Sequence, residues 1–136
     1  MTSAIFSFMF IFTTAFVQPV SSVKKEAALD QEFEIKLGQQ VSIEHEGLKV
    51  SFSYVAEDSR CPEGVQCVWA GNGKVVLKLS KQRKRSAVMR LNTNLEPNHA
   101  AYRDYDVKLV GLNPHPKKDE KIKKRDYVAT LIVSRK

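Results

Sequence analysis

The stretch His45-Glu46-Gly47-Leu48-Lys49-Val50-Ser51-Phe52-Ser53-Tyr54 sets a glycine turn before a run in which every second residue is apolar. A period of two puts Leu48, Val50, Phe52 and Tyr54 on one face of an extended strand, whereas a helix needs apolar residues three and four apart. The same period appears on either side. Upstream, Phe33, Ile35 and Leu37 alternate, and Val41 with Ile43 follow the Gly38 turn. Downstream it returns at Val75, Leu77 and Leu79, at Ala87, Met89 and Leu91, at Tyr105, Val107 and Leu109, and in a last strand from Tyr127 to Ser134. Seven or eight short strands separated by Gly, Pro, Asn and charged turns predict an all-β domain, an antiparallel β-sandwich or barrel-like fold. Lys81-Gln82-Arg83-Lys84-Arg85 reads as a hairpin tip, and Asn92 to Arg103, with Pro97 and Asn98, as a connection containing a short helical turn.

At the N-terminus, Ala4 to Val17 carry no charge, and Gln18 and Pro19 end the run before the small residues Ser21 and Ser22. That is the layout of a signal peptide, although no Lys or Arg precedes it. Its apolar run is shorter than the roughly 20 residues a membrane-spanning helix needs. Val20 and Ser22 would precede the cut. The division is a leader over 1–22 and a single domain over 23–136, with no transmembrane helix in the mature chain and a periplasmic or extracellular destination.

Cys61 and Cys67 are the two cysteines of the chain. An even count in an exported protein favours a structural disulfide. Zinc would need two further ligands, and His45, His99 and His115 show no ligand spacing; five intervening residues exclude a redox C-x-x-C. Neither metal nor cofactor is predicted. Pro62 suits the first central position of a turn and Gly64 tolerates positive φ, so Cys61-Pro62-Glu63-Gly64 is expected to reverse the chain. Asp58 and Ser59 are expected to accept backbone N–H bonds, Arg60 to pair with Asp58 or Glu63, and Gly71 to permit close backbone approach. Strand alternation puts Trp69 on the face of Cys67, packed over the disulfide as core.

This segment, Asp58-Ser59-Arg60-Cys61-Pro62 followed by Cys67-Val68-Trp69-Ala70-Gly71, resembles a family of small secreted bacterial β-proteins without an established activity. The likeness extends to Leu37-Gly38-Gln39, Leu48 to Phe52, Tyr105 to Leu109, Pro114 with Pro116, and Tyr127 to Val133. It implies an exported β-domain with this disulfide, and no reaction. Asn72 and the basic hairpin Lys81 to Arg85 look particular to this chain.

No G-x-S-x-G, H-E-x-x-H or phosphate-binding glycine loop is present, and an enzyme is not predicted. The leading expectation is a non-catalytic module that binds or supports an envelope or extracellular protein through Glu63, Val65 and Gln66. The net charge is +7, but it is uneven: nine acids to three bases from Glu26 to Glu63, and seventeen bases to six acids from Gly64 onward. The alternative is therefore an anionic polymer or anionic lipid, held by Lys81, Arg83, Lys84 and Arg85 together with Lys117, Lys118, Lys121, Lys123, Lys124 and Arg125. No aromatic residues interleave with these bases, so there is no specific nucleic-acid signature.

Overall fold

The computed structural model describes residues 11–18 and 24–136; the expected cleavage site and the first ten residues of the expected leader lie outside the described residues. The strands are β1 (Glu26–Ala27), β2 (Phe33–Lys36), β3 (Gln40–Ile43), β4 (Leu48–Asp58), β5 (Gly73–Lys81), β6 (Ala87–Asn92), β7 (His99–Tyr102), β8 (Tyr105–Asn113) and β9 (Val128–Arg135). They form a five-stranded sheet in the order β1-β3-β4-β5-β6 and a four-stranded sheet in the order β2-β9-β8-β7. The alternating apolar residues of both sheets meet in one core: Val41, Leu48, Val50, Phe52, Val75, Leu77 and Leu91 from the first, Ile35, Tyr105, Val107, Ala129, Leu131 and Val133 from the second. The fold is thus a sandwich of two open sheets. No helix among the described residues is long and apolar enough to cross a membrane.

Pairing is antiparallel except between β1 and β3, which run parallel for two residues. Two elements depart from the expected pattern. The stretch 92–103 holds β7 rather than a helical turn, because His99 to Tyr102 fold back on Tyr105 to Lys108 as a tight hairpin. Tyr54 leaves the inward row of Leu48, Val50 and Phe52: β4 slips register against β5 between Phe52 and Tyr54, and the ring is about half exposed. One extra residue in a bulged strand exchanges its two faces, so alternation holds only up to Ser53. A second slip separates Val55 from Glu57.

Candidate functional site

β4 and β5 are joined by the cysteine segment, whose stem continues their ladder for two more rungs. The Ser59 N–H donates to the Asn72 carbonyl at 2.8 Å and the Cys61 N–H to that of Ala70 at 2.8 Å, while Ser59 Oγ accepts the Asn72 N–H at 3.1 Å. Gly71 is required at the crossing. Its φ is +73°, and a Cβ there would sit 1.9 Å from the Ser59 carbonyl oxygen.

Arg60 is 6% exposed and makes the stem part of both sheets. Its Nε and one terminal nitrogen donate to the two carboxylate oxygens of Asp58, each at 2.8 Å. The guanidinium also donates to the carbonyl oxygens of Leu112 and Pro114, where β8 leaves the second sheet. Tyr127, the residue before β9, donates its hydroxyl to Asp58 at 2.8 Å. A buried guanidinium is tolerable only with such a partner set, because desolvation is otherwise costly. Burial alone would raise the Asp58 carboxyl, but the Arg60 and Tyr127 hydrogen bonds outweigh it and hold the group below the ordinary carboxylate range. Burial, then the neighbouring carboxylate, pushes the Tyr127 hydroxyl up to about 12. Of the two acids expected to pair with Arg60, Asp58 is the partner; Asp58 accepts the Arg60 N–H only at 3.4 Å.

Asn72 closes the other flank. Fully buried, it donates to Asn92 at 2.9 Å and accepts the Asn94 N–H at 3.2 Å, and Asn94 returns a bond to the Gly71 carbonyl. The sequence signal for this role was present only as Asn72, Asn92 and Asn94 at strand ends, where nothing local indicates that they meet.

Cys61 and Cys67 are joined, with Cα atoms 6.0 Å apart. Between them the turn lies one residue later than expected: the Val65 N–H donates to the Pro62 carbonyl at 3.2 Å, with Gly64 at φ +83°. Backbone bonds from Glu63 to Pro116 and from Lys118 back to Glu63 lay the loop beside the β8–β9 connection, and His115 Nε2 donates to the Cys61 carbonyl at 2.8 Å. The side chains of Glu63, Val65 and Gln66 are exposed. Trp69 is not core. It is 54% exposed, beside a fully exposed Val68, because residues 65–70 form no pleated strand and the two-residue alternation that linked Trp69 to Cys67 does not apply.

No family model, no curated protein and no solved structure matches this chain.

The remaining candidates are not brought together. Gly73 packs against Leu112, whereas Lys81 reaches Tyr105, so β5 runs from one end of the sandwich to the other. The hairpin Lys81 to Arg85 therefore lies at the opposite end from Lys117 to Arg125, a separation of about 25 Å for nine strand residues. Among the described residues no three His, Cys, Asp or Glu side chains gather as metal ligands. His99 lies 3.1 Å from Asp106 on an exposed strand face. Beside the stem, Leu37, Tyr54, Val55, Ile122 and Tyr127 line an open groove of about 500 Å³ that the sequence did not indicate, since it depends on the bulge that turns Tyr54 outward.

Proposed function

We propose that this chain is an exported, non-catalytic module that docks a protein of the cell envelope or exterior through its disulfide loop. The observation that carries this reading is the contrast between stem and tip. Arg60, Asp58, Gly71 and Asn72 fix the stem from both flanks, while Val65, Val68 and Trp69 stand exposed on the loop. A loop already held in shape loses little freedom on binding, and Trp is among the residues most enriched at the energetic centres of protein interfaces. The motif residues Asp58, Ser59, Arg60 and Gly71 serve the platform, and the contact falls to the residues between and just after the cysteines.

A photo-crosslinking residue at Gln66, in full-length protein produced in its native host, tests this. The expected result is a discrete cross-linked partner in the envelope or secreted fraction. That product should disappear when Val68→Ser and Trp69→Ser are added. Its persistence in that variant, or the absence of any product, would overturn the reading. N-terminal sequencing of the same material should find a start near Val23.

A further inference from the structure

At the end of the sandwich away from the disulfide, two basic turns from different sheets are tied to each other. The first is the β5–β6 tip, with Lys81, Arg83, Lys84 and Arg85; the second is the β7–β8 turn, with Arg103. Tyr102 donates its hydroxyl to the Arg85 carbonyl at 2.8 Å, and the Arg103 guanidinium lies over the Tyr102 ring, 5.5 Å from its centre. Below them Lys81 bonds the Tyr105 hydroxyl at 2.9 Å, and that hydroxyl donates to Glu46 at 2.6 Å. Glu46 is further occupied by Arg135 at 2.7 Å. Glu46 is thus already engaged, and the other exposed acids nearby, Asp104 in the β7–β8 turn and Glu44 in the β3–β4 turn, make no ion pair with the tips among the described residues. Arg83, Lys84, Arg85 and Arg103 have no side-chain ion pair among the described residues.

Two of these arginines also sit where arginine is a poor choice. Arg83 has φ +58° and Arg103 φ +53°. Left-handed turn positions favour Gly or Asn, and a long side chain there costs about 1 kcal/mol of conformational preference. Their side chains are displayed at the crests of both turns despite that cost.

We infer that this end is a binding site for a linear acidic polysaccharide. Arginine forks donate paired hydrogen bonds to carboxylate or sulfate groups, and a fixed pair of basic turns matches a chain carrying anions at intervals. The other polyanions fit less well. Tyr102 and Tyr105 are buried, which leaves no exposed ring in these turns to stack a base, and neither turn carries a large exposed apolar side chain to enter a bilayer. The site does not depend on the disulfide loop, and it uses one of the two basic runs, not both.

The test compares two triple variants with the same change in net charge: Arg83→Glu/Arg85→Glu/Arg103→Glu at this end, and Lys117→Glu/Lys121→Glu/Lys123→Glu at the other. Probes are heparin, polygalacturonate and phosphatidylglycerol-containing vesicles. The expected result is binding of wild type to both polysaccharides, a loss of roughly tenfold or more in the arginine variant, and a much smaller loss in the lysine variant. Equal losses in the two variants would show attraction to net charge alone and overturn the assignment. So would binding to the vesicles without binding to either polysaccharide, or no binding at all. Arg83→Gln/Arg85→Gln/Arg103→Gln, which removes the three charges without reversing them, should show the same ranking if the charge-reversed protein fails to fold.

Discussion

At the scale of single residues, the cysteine motif is a problem in burying one charge. Arg60 and Asp58 share two hydrogen bonds in a largely dry setting, so removing one partner strands the other. Asp58→Ala should therefore cost about 3 kcal/mol or more of unfolding free energy, measured by urea titration. The same pair sets the response to pH. Because the Asp58 pKa is lowered on folding, the unfolded chain binds more protons as acid is added; the stabilisation is complete above the ordinary carboxylate value and is lost as pH falls through the lowered one. Tyr127 has the opposite sense: its contribution is intact below the ordinary phenol value of 10.0 and disappears as pH rises toward about 12. Urea midpoints of Tyr127→Phe should accordingly fall less steeply than wild type over that alkaline range. Glu46, also lowered by its bonds to Arg135 and Tyr105, keeps an acid limb in Asp58→Asn, which should be shallower than that of wild type but not flat. Gly71→Ala adds a side chain where a carbonyl already stands and should cost about 2–4 kcal/mol by the same titration. Close approach at Gly71 was legible in the sequence. The bonds from Arg60 to Leu112 and Pro114 were not, because they join positions more than fifty apart.

At the scale of elements, alternation found the strands wherever one face met the core, and it failed where the pleat was interrupted. Leu48, Val50 and Phe52 point inward as read, and the bulge at Ser53 then sends Tyr54 out. In β8 a slip between Leu109 and Gly111 turns Leu112 into the core, where unbroken alternation would have pointed it outward with Val110. β7 was missed because Ala100 and Ala101 give a weak hydrophobic signal, and β1 because two residues have no period to read. Trp69 is the element-scale error with most bearing on function, since the loop it occupies has no pleat at all. Trp69 is the protein's one tryptophan, so its fluorescence reports on this position without interference. The folded protein should emit at the red-shifted wavelength of a hydrated indole and be quenched by iodide nearly as well as the urea-unfolded chain. A blue-shifted, protected signal would return Trp69 to the core and remove the apolar tip on which partner docking rests.

At the scale of the whole molecule, the two sheets are joined at each end by polar contacts as well as by the apolar core between them. At one end Arg60, Asp58 and Tyr127 connect β4 to β8 and β9; at the other Tyr105, Lys81, Glu46 and Arg135 connect β8 and β9 to β5 and the β3–β4 turn. A linear reading adds the two basic runs into one total, whereas the strands carry them to opposite ends. The disulfide belongs to neither set of ties: Cys67 is exposed, and the bond closes only a short loop within one connection. Its removal in Cys61→Ser/Cys67→Ser should cost about 2 kcal/mol on a chain-entropy estimate, less than the loss from Asp58→Ala. Far-UV circular dichroism should show the sandwich intact in both variants in the absence of urea, with the Asp58 variant unfolding at the lower concentration. The ranking discriminates because the two changes touch the same segment by different means. If the clamp on the stem is the buried charge pair, loosening the tip leaves both sheets in register. If the cysteine variant were the less stable of the two, the loop itself would be holding the end of the sandwich closed, and a tip with that structural task would be a poor surface for exchanging partners.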